Sequence, residues 1–218
     1  MQEFLNVTGM VIHSDPSGEY DRRIVILTKN SGKISAFAKG ARRPNSKFLA
    51  ATDLFSFGEF KLYVGRESYS LMDTNITNHF EDIRNDLSSS LYGMYFLEVC
   101  EYNTRENNDE YEILRLLYAS VKALLNNSIP KSLVKLVFEL KFFTLMGQFA
   151  VTDEYRRIYK ASTIYTLDFI IGNKSEKLYS FIVKDDVLQE LLDIAKECKR
   201  RIMPHVFKSE EMLSVVEM

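Results

Sequence analysis

Cysteine is scarce: the 218-residue chain has two, Cys100 and Cys198. Two thiols are too few for a disulfide scaffold or a structural zinc site. With 4 prolines and 9 glycines, and with 46% hydrophobic and 27% charged residues, the composition excludes collagen, low complexity and disorder. The length allows one large domain or two small ones. Apolar runs such as Ile24-Val25-Ile26-Leu27 fall far short of the roughly 20 residues a membrane-spanning helix needs. Met1-Gln2-Glu3-Phe4 lacks the basic-then-apolar pattern of a secretory signal, so a reducing, cytoplasmic setting is expected. Catalytic signatures are missing as well. There is no phosphate-binding Gly-x-x-x-x-Gly-Lys-Ser/Thr loop and no Gly-x-Ser-x-Gly elbow. His13, His79 and His205 are scattered without metal-ligand spacing. Adjacent acids such as Asp109/Glu110 and Asp185/Asp186 point different ways on a helix and read as helix starts. The expectation is a binding protein rather than an enzyme, with no cofactor and no metal.

What is present is positive charge in one place. The net charge is -2, yet residues 1–80 carry ten basic and eight acidic side chains. Between Arg22 and Lys47 stand eight basic residues (Arg22, Arg23, Lys29, Lys33, Lys39, Arg42, Arg43 and Lys47) and no acid. Such a run is either a solvated face or a surface that meets phosphates.

The first part reads as five strands. Val7–His13 is β-branched and apolar, Asp15-Pro16-Ser17-Gly18 is a turn cluster, and Arg22–Thr28 is a second strand. After the turn Lys29-Asn30-Ser31-Gly32, residues 33–39 alternate: Ile34, Ala36 and Ala38 on one side, Lys33, Ser35, Phe37 and Lys39 on the other. Leu54–Val64 and Tyr69–Ile76 complete the set, with Gly58 marking a bulge or bend. Five short strands in about 75 residues suggest a small barrel whose closure removes exposed edges; an oligonucleotide-binding (OB) barrel and an SH3-like barrel both fit the count. Lys33 and Lys39 flank Phe37 on one face, and the loop Gly40–Lys47 adds Arg42, Arg43 and Lys47. Cations that neutralise phosphates beside a ring that stacks on a base suit single-stranded nucleic acid. Phe37 fits equally a place in the core.

From Phe80 the apolar period becomes helical. Leu87, Leu91, Met94, Tyr95 and Val99 form one stripe; residues 111–125 form another. Leu133–Met146 is apolar nearly all round and should be the buried centre of a bundle, with Pro130 before it and Gly147 after it. The last helix starts at Asp185-Asp186 and ends at Lys199-Arg200-Arg201, with Cys198 on its inner stripe as packing. Ile164–Ile171 and Leu178–Val183 read as two strands joined by Gly172-Asn173-Lys174-Ser175. Beyond Pro204 the pattern is weak, and Met212, Leu213, Val215 and Val216 either pack back or meet a partner. The fold expected is α+β: a five-stranded barrel domain over 1–79, then a helical domain over 80–218 with a β-hairpin insertion at about 160–184.

Several segments, in order and spacing, resemble one family. They are Val7-Thr8-Gly9-Met10-Val11, the run Glu19–Thr28, Ser31-Gly32-Lys33-Ile34, Ala38–Pro44 with Ser46, and Phe57-Gly58-Glu59-Phe60. Phe80–Leu87, Tyr95-Phe96-Leu97-Glu98, Phe138-Glu139-Leu140-Lys141 and Leu145-Met146-Gly147 follow. Together they resemble the RecO family of recombination mediators. The resemblance implies an N-terminal OB-type barrel and a helical C-terminal domain, binding of single- and double-stranded DNA, annealing of complementary strands, and work with RecR and the tail of single-strand-binding protein to load recombinase, in a nucleoid-associated setting. Carried over by residue, it implies DNA contacts from Arg22, Arg23, Lys33, Lys39, Arg42, Arg43 and Lys47, beside the Phe37 ring. Many members carry two Cys-x-x-Cys pairs that bind zinc. Here Tyr155-Arg156-Arg157-Ile158 and Phe181-Ile182-Val183-Lys184 stand there, so no zinc is expected, and Ile164, Tyr165, Phe169, Phe181 and Ile182 should hold that hairpin by packing. An RNA-binding barrel, or an adaptor whose basic loop docks an acidic protein, remains open on the residues alone.

Overall fold

Alternating apolar residues set the first part. In the computed structural model, which describes residues 3–216, the strands are β1 (Phe4–Ser17), β2 (Asp21–Thr28), β3 (Lys33–Ala38), β4 (Phe57–Val64) and β5 (Tyr69–Asn78). They close in the order β1-β2-β3-β5-β4. All pairings are antiparallel except β3 with β5. Strand β1 is twice the length expected because it serves two neighbours: Phe4–Met10 pairs with β4, and Gly9–Ser17 pairs with β2. Inward-facing Val11, Ile24, Ile26, Ile34, Ala36, Phe60, Leu62 and Leu71 fill the interior. Gly9 and Gly58 face each other where β1 meets β4. A Cβ at Gly58 would lie 2.3 Å from the Asn75 carbonyl oxygen, so only glycine lets the backbones approach this closely. The ladder between β4 and β5 shifts register beside Gly58, the bulge its position suggested.

The segment after β3 is not strand. It turns at Gly40 (φ 67°), whose N–H donates to Asp21 Oδ1 at 2.7 Å. It then folds Ala41, Phe48, Ala51 and Phe55 inward. Strand β4 therefore starts at Phe57 rather than Leu54.

The helices are α1 (Leu87–Asn103), α2 (Tyr111–Leu124), α3 (Lys131–Leu145), α4 (Asp153–Ile158), α5 (Ala161–Gly172), α6 (Asp185–Ile202) and α7 (Lys208–Val216). The chain divides into two compact units. One holds the chain up to Asp82 with Leu97–Leu114; the other holds Ile83–Phe96 and the chain from Arg115. In the first, Lys33 Nζ donates to the Glu101 carbonyl at 2.6 Å, and His13 sits between Asp15 (Nε2, 2.7 Å) and Glu101 (Nδ1, 2.9 Å). In the second, α3 is buried around most of its circumference and packs on α5 and α6. Phe96 stacks on Phe138 at 4.3 Å.

No hairpin forms at 160–184. Residues 161–172 are helix α5, and Leu178–Val183 pairs with no strand among the described residues. Thr163, Ile164, Tyr165 and Thr166 have strand propensity, but Thr163, Ile164, Thr166, Leu167 and Ile170 are the buried set, and their spacing is helical. Buried Lys141 secures the helix end by donating to the Ile171 and Asn173 carbonyls at 2.7 and 2.8 Å. Phe169 and Phe181 still meet edge to face, at 5.3 Å, but Tyr165 and Ile182 are exposed.

The segment beyond Pro204 packs back. Phe207 and Leu213 are buried, and Phe207 meets Tyr95 edge to face at 5.7 Å. Met212, Val215 and Val216 are exposed. Buried Tyr95 donates to buried Glu139 at 2.5 Å, Lys135 lies 3.4 Å from Glu210, and Lys199 pairs with Glu210. Burial pushes the Glu139 carboxyl above its ordinary range. No helix among the described residues is long and apolar enough to cross a membrane.

Candidate nucleic-acid interface

The barrel sorts the eight predicted contact residues into two groups. Arg22 and Lys33 are engaged within the molecule. Arg22 Nη1 donates to Asp53 Oδ1 at 2.6 Å and to Thr52 Oγ1 at 3.1 Å, and both carboxylate and guanidinium are mostly shielded from water. It ties β2 to the segment that covers the barrel interior. Lys33 points to the end of α1, as described.

The others face solvent. Arg23 Nε donates to Ser35 Oγ at 2.9 Å and keeps its charge uncompensated at that contact. Arg42 donates to the Gly18 and Glu19 carbonyls, both at 3.2 Å; carbonyls orient the guanidinium without cancelling its charge. Arg43 lies over the exposed Tyr20 ring, 5.2 Å from its centroid. Lys39 makes no hydrogen bond or ion pair among the described residues, and it is exposed. Lys47 pairs with Asp73 at 2.8 Å and lies 5.0 Å from the Phe48 centroid. Hydrogen bonding from Lys47 holds the Asp73 carboxyl below the usual carboxylate range. Both partners are about two-thirds exposed (63% each), so water screens the pair and it contributes little. Lys47 can therefore exchange Asp73 for a phosphate at little cost. Phe37 points outward and is 37% exposed, because Ala36 and Ala38 take the interior positions of β3.

Sequence reasoning stopped at the charged run and missed the neighbouring groove. A cleft of about 630 Å³ is lined by Phe4, Lys39, Lys47, Tyr63, Ser70 and Met72, among others. The signal was alternation: Phe60 and Leu62 point inward on β4, so Lys61 and Tyr63 must point out.

The chain matches the family models for the N-terminal part of recombination protein O over residues 1–80 and for its C-terminal part over residues 84–150. It is 30% identical over 221 residues to the DNA repair protein RecO of Acetivibrio thermocellus, covering 86% of this chain and 87% of that one. The chain belongs to the RecO family. A RecO of Clostridium acetobutylicum is 23% identical over 239 residues, 96% of each chain. One of Alkaliphilus metalliredigens is 34% identical over 143 residues, 66% of this chain and 58% of that one. The matched RecO proteins are named for DNA repair. A zinc such as the resemblance implies for other members does not fit this chain: Tyr155–Ile158 and Phe181–Lys184 offer no thiolate. Among the described residues, no group of three or more His, Cys, Asp or Glu side chains is placed to hold a metal ion. Cys100 and Cys198 are buried, and burial pushes both thiols up, away from the thiolate form.

Proposed function

We propose that this RecO-family chain is a non-catalytic DNA-binding recombination mediator. Residues 1–79 act as an OB-type barrel that binds single- and double-stranded DNA, and residues 80–218 offer surfaces to protein partners. The observation that carries the reading is the cluster Arg23, Lys39, Arg42 and Arg43, whose described hydrogen bonds go to neutral oxygens or are absent, with Lys47 weakly held beside it. Like charges so close give little stability by themselves, and a polyanion relieves their repulsion.

The mechanism is electrostatic. Two phosphate backbones repel; a cationic wall screens them and lets complementary strands approach. Pairing is downhill, so no hydrolysis is needed. In this reading the chain works with RecR and helps load recombinase. The apolar cleft lined by Tyr165, Phe169, Phe181, Ile182 and Lys184 takes the acidic tail of single-strand-binding protein.

Counterion release supplies the test. Replacing Lys39, Arg42 and Arg43 with alanine removes three phosphate contacts and should flatten the salt dependence of single-strand binding by roughly 2 log units per log unit of salt, at about 0.7 per contact. An unchanged slope in a folded triple variant rejects this surface. Equal binding of matched RNA would favour an RNA partner. Failure to speed annealing of strands coated with single-strand-binding protein would remove the mediator role.

A further inference from the structure

One row of the barrel's outer wall can be followed strand to strand by register. Arg23 of β2 is opposite Phe37 of β3, Phe37 is opposite Ser70 of β5, Ser70 is opposite Tyr63 of β4, and Tyr63 is opposite Phe4 of β1. The row therefore carries an aromatic ring at Phe37, a small side chain at Ser70, and rings at Tyr63 and Phe4. Neighbouring strands lie about 4.8 Å apart, so the backbones of Phe37 and Phe4 are separated by roughly 14 Å. Phe4 is 43% exposed and meets Tyr63 edge to face at 5.9 Å. Met72, 46% exposed, borders the row.

Three rings in register on β3, β4 and β1, two of them exposed and Tyr63 half-buried, stand outside the barrel's core. Cations surround them. Lys61 Nζ lies 4.9 Å from the Phe4 centroid, Lys39 and Lys47 line the same cleft, and Arg23 closes the far end. Carboxylates also stand nearby: Asp73, paired with Lys47 and opposite Lys61, Asp15, opposite Arg23, and Glu3, next to Phe4 in the chain. None of the three lines the cleft.

We propose that this transverse row is a base-stacking platform for single-stranded nucleic acid, with unpaired bases seated on Phe37, Tyr63 and Phe4 while the flanking lysines and Arg23 hold the backbone. The proposal rests on the nucleic-acid-binding reading above and extends the base contact expected of Phe37 to Tyr63 and Phe4. It also gives a preference. Duplex bases are stacked on one another and present no free face, so the row distinguishes unpaired strands from paired ones. The charge around it fits a polyanion better than an apolar peptide.

The test uses the full chain and an oligo-dT strand carrying one 2-aminopurine. Binding to the native chain should change the probe's fluorescence through stacking on a ring. The variant Phe4→Leu/Tyr63→Leu should bind about tenfold more weakly or worse and lose that change, with the salt slope unaltered, because stacking releases no counterions. Ser70→Gln adds bulk between Phe37 and Tyr63 on an outward position without removing a ring, and should weaken binding in the same way if the double variant does not fold. Native affinity and an unaltered probe signal in a folded variant overturn the platform. If the salt slope still depends on Lys39, Arg42 and Arg43, the phosphate-binding surface survives that failure. If the native chain binds no oligonucleotide even at low salt, both readings fall together.

Discussion

Arg22 and Lys39 look alike in the sequence, yet the fold gives them opposite duties, and this can be measured. The perturbation is Arg22→Ala, set against Lys39→Ala. Arg22 gives hydrogen bonds to Asp53 at 2.6 Å and Thr52 at 3.1 Å, from a side chain 22% exposed to one 29% exposed. Net hydrogen bonds to charged groups are worth about 1.5–3 kcal/mol each. Solvent still reaches the pair, so the lower part of that range applies and a total of about 2–3 kcal/mol is expected. In a chain of this size each kcal/mol moves the melting temperature by roughly 2–4 °C, which gives a loss of about 4–12 °C. Lys39→Ala should leave melting unchanged and flatten the salt slope of oligonucleotide binding by about 0.7. Thermal unfolding by circular dichroism and a salt titration of binding read both numbers. If Arg22→Ala melts like the native chain and flattens the slope as Lys39→Ala does, the division of the cations into engaged and available groups is wrong.

Three further outcomes follow from the packing. Burial opposes protonation of His13, but its hydrogen bonds to Asp15 and Glu101 and their charges outweigh this, so its pKa is raised. A raised pKa stabilises fully below the unfolded value of about 6.5 and is lost as pH rises through the folded one. The stability advantage of the native chain over His13→Gln should therefore shrink as the pH rises above the ordinary histidine value of about 6.5 in denaturant titrations; a constant difference would refute it. Tyr95→Phe takes the hydroxyl donor from buried Glu139 and should cost about 1–3 kcal/mol in urea unfolding, whereas a neutral effect would mean that Lys135 alone satisfies the carboxylate. Gly58→Ala sets a Cβ against the backbone of Asn75 and Ile76 and should cost about 1–3 kcal/mol; native stability there would show that β4 and β5 can part without loss.

Local rules read the barrel well where one pattern dominated. Alternation in 33–38 sets Ile34, Ala36 and Ala38 on one side and Phe37 on the other, because successive side chains of a strand point to opposite faces; which side is interior stays open in the sequence, and the buried alanines put Phe37 outside. The same rule failed at the edges of segments. Phe4, Leu5 and Asn6 join β1 only because β4 is there to pair with them, a long-range fact. Helix α5 was misread because Ile164, Thr166 and Ile170 favour strands locally, while the surfaces of α3 and α6 select a helix. The positive run was legible as composition. Its division was not: Asp53, which holds Arg22, lies 31 residues away. Tyr63 and Phe4 carry no charge to draw notice, and they meet Phe37 only through the register of three strand pairs.

Where β3 joins β5, two residue pairs stitch the cylinder: Ala36 with Tyr69 and Phe37 with Ser70. A join with so few rungs should part before the longer ladders do, and its amides should exchange with solvent soonest. Phe37 thus belongs to the weakest join and to the outer wall at once. Loss of its ring can loosen the cylinder as well as strip a surface, so an oligonucleotide that shields it should also slow amide exchange along β3 and β5.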